Sequence, residues 1–292
     1  MPIDKGSALA IDIGGTKLAA GLVTDDGEVV TTATAPSRAD DGEALFRVLL
    51  ALVDAVVGNG DVAVCGVGCG GPMTAGGETV SPLNIGGWRD FPLRSRLAEA
   101  TGLATFVDND AKALALGEGW RGAATGVDDF IAMVVSTGVG GGIVLGGRLL
   151  DGASGNAGHI GHVCVEPEGR VCTCGARGCL EAEASGTAIA AVTGRPAAEA
   201  GPDVVARTGR LVGRAVASVA NLLDLPLAVV AGSVALGYGE PFFAAAQAEL
   251  DAQARLSFSA GARIVPGGLG SAGPLVGAAA VGWRGLGRLE PG

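Results

Sequence analysis

Apolar residues along the chain fall into short continuous runs that end at glycine turns, a pattern typical of strands buried on both faces. ALAIDIGG at residues 8–15 predicts a buried strand that runs into a glycine turn. KLAAGLV and EVVTTATA follow as two further strands, and TDDG at 24–27 has the composition of a hairpin between them. Residues 41–57 change to helical spacing.

A strand and helix pattern continues toward the middle of the chain. VAVCGVG at 62–68 predicts another short strand, and LRSRLAEATG at 93–102 predicts a helix that ends at a glycine. TFVDND then predicts a strand, which continues directly into a helix over AKALALGEGW.

The pattern restarts at residue 130. FIAMVVSTGVGGGIVLGGRLL at 130–150 predicts two strands around a glycine bend, and helices are expected over roughly 181–223. LAVVAGSVAL at 227–236 predicts a strand and a turn, followed by a helix at 240–256 and an apolar helix at 275–284.

Two β-rich beginnings, each followed by helices, predict two α/β lobes with a cleft between them. We expect the first lobe to span 1–118 together with about 275–292, and the second to span 119–274.

Charge and composition narrow the class of protein. The formal net charge of −10 argues against nucleic acid as a partner, so an anionic substrate would need backbone amides and a divalent cation. The longest apolar runs are too short for a membrane span, and the N-terminus lacks the pattern of a secretion signal. We therefore expect a cytoplasmic protein whose six cysteines are thiols or metal ligands.

DIGGTK at 12–17 is the first stretch whose residues could bind a metal ion or phosphate. Asp12 ends a strand, where its carboxylate could hold Mg²⁺ directly or through water. Gly14 and Gly15, followed by Thr16 and Lys17, could turn successive N–H groups toward phosphate oxygens. A plain hairpin turn explains this stretch equally well when it is taken alone.

Two more glycine turns follow strands in the second half. STGVGGG supplies two hydroxyls and several glycines where an ordinary hairpin needs one or two; the candidate phosphate contacts are Ser136, Thr137, Gly138, Gly140 and Gly141. AGSV, with Gly232, is the third such turn. Three turns that could line one cleft favour a nucleoside triphosphate. GVGCGG at 66–71 matches a dinucleotide fingerprint, but Pro72 follows where the helix should run.

DND at 108–110 ends a strand and opens a helix. Asn109 and Asp110 would serve as a helix cap, which is the structural interpretation. The functional interpretation is that a carboxylate projecting into the cleft orients and deprotonates an attacking hydroxyl.

The chain has only two histidines, His159 and His162, and both precede a cysteine cluster. His162 with Cys172, Cys174 and Cys179 has the spacing H-x9-C-x-C-x4-C, which fills a closed tetrahedral shell for a structural Zn²⁺. Buried thiols with satisfied histidines are the alternative.

DIGGTK, DNDA, STGVGGG, GHVCV and CTCGARGCLE, in this order, resemble the ROK family of sugar kinases and repressors along essentially the whole chain. The resemblance implies a two-lobed actin-like ATPase fold of the ribonuclease H-like type, and a cytoplasmic ATP-dependent kinase acting on a sugar 6-hydroxyl. It also implies a homodimer or higher homo-oligomer.

Carried over by motif, the resemblance implies a role for each candidate. Residues 12–17 and 136–141 would face the ATP phosphates and Mg²⁺, Gly232 would lie near the adenosine, and Asp110 would be the catalytic base. The sugar ligands would be Asn84, Asn109, Asp110, His159, His162 and Glu181.

His159 departs from the pattern of many family members, which have a glutamate at this position of GHIGH. An imidazole can donate a hydrogen bond where a carboxylate only accepts, so the acceptor tolerated near sugar carbons 1 and 2 should change. GHIGH resembles N-acetylmannosamine kinases, whereas LNIGGW, which contains Asn84, resembles glucokinases. Glucose stands first as the family's common substrate, and N-acetylmannosamine or another N-acetylhexosamine stands beside it.

A second class, the sugar-responsive repressor, has an N-terminal DNA-binding domain in this family. The first phosphate strand begins at about residue 8, so we expect no such domain here. A sugar-binding protein with a degenerate catalytic site is the third possibility, against which the intact DIGGTK, Asp110 and STGVGGG argue.

Overall fold

The computed structural model describes residues 6–38, 41–58 and 61–289. Its residues divide into two compact units. Unit 1 comprises the chain up to Thr125, Asp151–Ala157, and the chain from Leu269 onward. Unit 2 comprises Gly126–Leu150 and Gly158–Gly268.

Unit 1 is built on a mixed sheet of five strands, in the order β3-β2-β1-β4-β5. The strands are β1 (Ser7–Ile13), β2 (Lys17–Val23), β3 (Val29–Pro36), β4 (Val62–Cys69) and β5 (Thr105–Asn109). β2 is antiparallel to both β1 and β3, whereas β4 is parallel to β1 and β5 is parallel to β4. The TDDG hairpin predicted between β2 and β3 is confirmed, because the Thr24 N–H donates to the carbonyl of Glu28 at 2.9 Å.

The α-helices described in this unit are α1 (Gly42–Val57), α2 (Leu93–Thr101), α3 (Asp110–Arg121) and α9 (Gly273–Gly285). Large side chains of β1, such as Leu9 and Ile11, share a core with α1. On the opposite face, small residues let α9 approach closely: a Cβ at Gly66 would lie 2.0 Å from the carbonyl oxygen of Ala278. Asp12 is paired with Gly68 on this small-residue face, at the end of the strand.

Unit 2 contains a second mixed sheet of five strands, in the order β10-β9-β6-β7-β8. The strands are β6 (Phe130–Val135), β7 (Val139–Leu145), β8 (Arg148–Leu149), β9 (Leu227–Ala231) and β10 (Arg263–Pro266). β7 is antiparallel to β6 and β8, whereas β9 is parallel to β6 and β10 is parallel to β9.

The helices of unit 2 cover the core formed with this sheet. They are α4 (Leu180–Ala184), α5 (Gly186–Thr193), α6 (Pro202–Leu223), α7 (Ser233–Tyr238) and α8 (Glu240–Gln253). The long α6 packs against α8 through glycine: a Cβ at Gly213 would lie 2.2 Å from the carbonyl oxygen of Ala246.

Each sheet repeats one topology, in which three antiparallel strands are followed by two parallel ones in the order 3-2-1-4-5. The predicted α/β class is confirmed, and so are most of its strands and helices. The sequence pattern does not predict β8 or β10. The units also differ in extent from the expected lobes: unit 1 continues to Thr125, includes Asp151–Ala157 and resumes at Leu269. Along the described ranges, no helix is long and apolar enough to cross a membrane.

Candidate functional site

Asp12 and Asp110 lie at one edge of the unit 1 sheet. Asp110 is the first residue of α3 and follows β5 directly, while Asp12 lies near the end of β1. Gly68 of β4 sits between them: a Cβ there would lie 3.6 Å from the Asp110 Cα and 3.9 Å from an Asp12 carboxylate oxygen. The missing side chain at position 68 thus leaves room for both acids.

The Asp12 carboxyl is unusually basic. Burial, and then the negative charge of Asp110, raise its pKa from 3.8 to about 7, although Lys17 opposes the shift. A cation bound at this edge would favour the ionised form, and a carboxylate oxygen is a suitable ligand for Mg²⁺.

The turn at residues 14–17 is a tight hairpin between β1 and β2. The Gly14 N–H donates to the carbonyl of Lys17 at 3.0 Å, and the Ser37 hydroxyl donates to the carbonyl of Gly14 at 2.6 Å. Gly15 is needed for space, because a Cβ there would lie 2.5 Å from the Cβ of Asn84. The LNIGGW loop therefore closes directly on the DIGGTK turn.

Asn109 is both a helix cap and a neighbour of this loop. Its side-chain oxygen accepts from the N–H of Ala111 at 3.0 Å, which confirms the predicted cap at the start of α3. A Cβ at Gly71 would lie 3.6 Å from the Asn109 amide nitrogen, and the carbonyl of Gly71 accepts from the Leu83 N–H at 3.3 Å. Unit 1 thus brings the residues 12–17, Asn84, Asn109 and Asp110 into one neighbourhood.

In unit 2, the turn between β6 and β7 is organised around Glu181. One Glu181 carboxylate oxygen accepts the Val139 N–H at 3.0 Å, and a Cβ at Gly138 would lie 2.8 Å from the same oxygen. Gly138, like Gly15, is required for the approach of a polar side chain, since neither has a positive φ.

The same turn is tied to the starts of two helices. The carbonyl of Ser136 accepts from the Gly186 N–H at 2.7 Å, and that of Thr137 accepts from the Thr187 hydroxyl at 2.9 Å. The hydroxyls of Ser136 and Ser233 are 2.9 Å apart. Gly232, with φ 99°, lies against the backbone of Val135, where a Cβ would be 2.4 Å from the carbonyl oxygen.

Gly140 and Gly141 lie within β7, opposite Val134 and Met133 of β6. The missing side chain of Gly141 lets the chain leading into GHIGH cross the strand, since a Cβ would be 3.1 Å from the carbonyl oxygen of Gly158. His159 and His162 follow on a single turn; both are exposed, and their ring centroids are 6.0 Å apart.

The predicted metal ligands converge. The ligand atoms of His162, Cys172, Cys174 and Cys179 all lie within 4.8 Å of one another. Sulfurs of a tetrahedral zinc site with bonds of about 2.3 Å are about 3.8 Å apart. The Cys174 and Cys179 sulfurs are 3.7 Å apart, and Nδ1 of His162 is 3.7 Å from the Cys172 sulfur, so the donor set fits such an ion.

Glycines shape the loop that carries these cysteines. Gly175 and Gly178 have φ of 91° and 71°, values that favour glycine. Cys179 then caps α4, whose second residue is Glu181. The metal loop and the Glu181 contact to the β6–β7 turn are therefore consecutive features of one short segment.

Glu183, which the sequence analysis did not single out, anchors this loop. Its carboxylate is buried and accepts from the backbone N–H of Arg170 at 2.6 Å and from the guanidinium groups of Arg170 and Arg207 at 2.9 and 2.7 Å. Burial would raise the pKa of Glu183, but these hydrogen bonds and charges outweigh it and lower the pKa. Only its contacts distinguish it, since its place in LEAEAS looks like any helix residue.

Comparison with known proteins agrees with this architecture. The model of the ROK family matches residues 8–283. An N-acetylmannosamine kinase of Escherichia fergusonii is 39% identical over 252 residues, which cover 80% of this chain and 85% of that protein.

Two solved structures are also similar. A ROK family glucokinase from Streptomyces griseus, in complex with glucose and AMPPNP, has a TM-score of 0.84 and 30% identity, covering 96% of this chain and 100% of that one. A ROK hexokinase from Thermus thermophilus has a TM-score of 0.81 and 32% identity, covering 96% and 99%. The actin-like ATPase fold predicted from the sequence is confirmed. The chain belongs to the ROK family and is a sugar kinase, a phosphotransferase with an alcohol acceptor.

Proposed function

We propose that this protein transfers the γ-phosphoryl group of ATP to the 6-hydroxyl of N-acetylmannosamine. The choice of acceptor sugar is supported by the similarity to N-acetylmannosamine kinases, at 39–41% identity over four fifths of the chain. This order of candidates differs from the sequence analysis, in which glucose stood first.

Asp110 is the base in the proposed reaction. Its exposed carboxylate, at the start of α3, takes the proton of the sugar 6-hydroxyl. The hydroxyl oxygen forms a bond to the γ-phosphorus, the bond from that phosphorus to the β-phosphate oxygen breaks, and ADP leaves. Phosphoryl transfer depends chiefly on positioning and charge neutralisation, so a carboxylate needs no unusual basicity for this role.

The nucleotide phosphates would be held mainly by the groups of two glycine turns and by a divalent cation. The exposed residues Gly15, Thr16 and Lys17 in one turn and Thr137 in another would contact the phosphates, with Gly232 near the adenosine. Asp12 would hold Mg²⁺; burial and the charge of Asp110 raise the pKa of its carboxyl to about 7, and a bound cation would favour the ionised form. An Mg²⁺ ion held by Asp12 would supply neutralisation of the phosphate charge.

The acceptor sugar is assigned to Asn84, Asn109, His159, His162 and Glu181. With Nδ1 of His162 directed at the cysteine cluster, Nε2 remains for a sugar hydroxyl. We propose that the cluster binds a structural Zn²⁺, which would fix the ring of His162 and the start of α4. His159, three residues away, would donate to the acyl group of an N-acetylhexosamine.

Glucose is the second candidate acceptor. The Streptomyces griseus glucokinase, with glucose bound, has 30% identity and a TM-score of 0.84, which supports a similar hexose site. The homo-oligomer and cytoplasmic location expected from the family resemblance stay predictions.

The acceptor is tested with a panel of hexoses and N-acetylhexosamines in a coupled assay of ADP release. We expect kcat/KM for N-acetylmannosamine to exceed that for glucose by about ten-fold or more. A preference for glucose would mean that glucose, not N-acetylmannosamine, is the acceptor. Turnover of no sugar would contradict the kinase reaction.

The base is tested with Asp110→Asn. Removal of a general base costs roughly 10²–10⁴ in rate, so kcat should fall by that factor while sugar binding, measured by calorimetry, changes little. Asp54→Asn, an exposed carboxylate on α1, is the matched control and should keep full activity. A kcat within a few-fold of the wild type would remove Asp110 from the role of base.

A further inference from the structure

A buried ammonium group lies in the first turn of the helix that carries Asp110. The side chain of Lys112 is 3% exposed. Its Nζ contacts Asp108 Oδ1 at 3.0 Å, Asp151 Oδ1 at 2.8 Å and the carbonyl of Gly155 at 3.2 Å. An ammonium has three donors, and burying one costs several kcal/mol unless its donors are paired, so this position is built to hold its partners.

On one side, Lys112 is linked to the backbone just before Asp110. Asp108 Oδ1 accepts both the Lys112 ammonium and the backbone N–H of Asn109, the latter at 2.8 Å. Burial raises the pKa of Asp108, and Lys112 and Arg284 oppose that shift. The peptide that leads to Asn109 and Asp110 is thus fixed by the same charges.

On the other side, Lys112 is linked to Asp151–Ala157, which we call the strap. The chain leaves unit 2 at Leu150, contributes the strap to unit 1, and returns to unit 2 at Gly158. Arg284 of α9 adds a second contact to Asp151, from Nη2 to Oδ2 at 3.1 Å. His159 follows the strap after a single residue.

The strap is held more by charge than by packing. The residues 151–154 are exposed, and the strap's own hydrogen bonds include one from the Ala157 N–H to the Asp151 carbonyl at 3.0 Å. A cavity of about 420 Å³ adjoins it, lined among others by Arg94, Asp108, Lys112 and Arg284. The strap therefore has room to move once Asp151 loses its partners.

We propose that Lys112 and Asp151 are positioning residues for sugar binding. Their ion pair fixes the strap to the helix of the catalytic base, and the strap leads through Gly158 into the His159–His162 segment. The inference rests on the proposed function in one respect, the assignment of these histidines to the sugar. It adds residues that no motif of the chain contains.

The test is Asp151→Asn, with Glu43→Gln as the matched control. Glu43 also pairs with an arginine of unit 1, from Arg96 Nη2 to Glu43 Oε2 at 2.9 Å, and its side chain is 58% exposed against 51% for Asp151. We expect Asp151→Asn to raise the sugar KM about ten-fold with the ATP KM within about two-fold, and Glu43→Gln to leave both unchanged. Asp151→Glu, which keeps the charge, should recover most of the loss.

An equal rise of both KM values, or an unchanged sugar KM, would overturn the proposal. If Asp151→Asn fails to fold, Arg284→Gln is the second variant, because it removes one of the two cations that contact Asp151. It should raise the sugar KM by about three-fold, and an unchanged sugar KM would also contradict the proposal.

Amide hydrogen exchange without ligand separates this inference from the proposed function. Peptides covering 151–158 should exchange about ten-fold faster in Asp151→Asn than in the wild type or in Glu43→Gln. If the wild type phosphorylated no sugar, the proposed function would fail while this measurement still decided whether the ion pair holds the strap. Unchanged exchange would contradict the anchoring itself.

Discussion

Gly15 and Asn84 lie in direct contact across two loops: a Cβ at Gly15 would be 2.5 Å from the Cβ of Asn84 and 3.2 Å from its side-chain amide nitrogen. The φ of Gly15 is not positive, so the backbone there does not require glycine. The requirement is space. A turn assigned to the nucleotide phosphates and a side chain assigned to the sugar thus share one contact.

Gly15→Ala should therefore move Asn84. We expect the sugar KM to rise by about ten-fold, with a smaller change in the ATP KM, because the added methyl group forces the LNIGGW loop outward. Steady-state kinetics with each substrate varied in turn measures both constants.

Gly86→Ala is the control for this change. Gly86 lies in the same loop, but a Cβ there would meet nothing within 4 Å. Its kinetics should match the wild type. Equal effects of the two substitutions would mean that the loop responds to lost backbone freedom rather than to the Gly15–Asn84 contact.

The strands that could be predicted are those with enough apolar residues to form a signal. β1, β4 and β6 are continuous apolar runs that end at glycine or polar turns, and the sequence pattern predicts them. β8 has two residues, and β10 reads RIVP, beginning with arginine and ending with a proline that cannot donate to a ladder. Such short edge strands form because a neighbouring strand pairs with them, and this pairing cannot be predicted from the local sequence pattern.

The candidate site shows the same division. Residues joined by a motif, such as His162 and the cysteines, could be predicted because their spacing along the chain reflects one loop. The ion pair of Lys112 with Asp151 joins positions 39 residues apart, and that of Asp151 with Arg284 spans 133. Their partners are set by tertiary packing, so a single sequence does not contain them.

Cys174→Ser should lose the metal that we assign to the cluster. A hydroxyl is a poor replacement for a thiolate ligand, so the zinc content of the purified protein should fall from about one per chain toward zero, and the sugar KM should rise about ten-fold. Elemental analysis and kinetics on one preparation measure both.

Cys164→Ser serves as the control, because Cys164 is exposed in the same loop region and is not part of the cluster. It should keep both zinc and activity. Wild-type protein purified without zinc, yet active and unaffected by added zinc, would contradict the metal assignment.

His159→Glu should shift the choice of acceptor. The imidazole can donate to an acyl oxygen, whereas a carboxylate only accepts and would favour a free hydroxyl. We expect the ratio of kcat/KM for N-acetylmannosamine to that for glucose to fall by about ten-fold or more. His159→Gln, which keeps a donor, should retain more of the original ratio. An unchanged profile in both variants would mean that His159 does not contact the sugar.

Asp12 connects stability to pH with a definite sign. Its pKa is raised from 3.8 to about 7, mainly by burial, so between about pH 4 and 7 the folded protein keeps a proton that the unfolded chain has lost. The contribution of Asp12 to stability is therefore most favourable below pH 4 and is lost as the pH rises toward 7. At about 1.4 kcal/mol for each unit of pKa, the total change is about 4 kcal/mol.

Asp12→Asn removes this titration and should separate stability from activity. As the pH rises from about 4.5 to 8, the unfolding free energy of the variant should increase relative to that of the wild type by on the order of 2–4 kcal/mol, because a neutral amide has no charge to desolvate. Its kcat should fall sharply, since the amide cannot replace a carboxylate ligand of Mg²⁺. Asp25→Asn, in the exposed hairpin between β2 and β3, is the control and should change neither stability nor kcat.

Chemical unfolding at pH 4.5 and pH 8 tests this prediction. If the unfolding free energies of the wild type and Asp12→Asn depend on pH in the same way, Asp12 is already ionised in the folded protein. In that case the Asp12 carboxylate would be ionised before the cation binds, and nucleotide binding near pH 6 would release no proton from it.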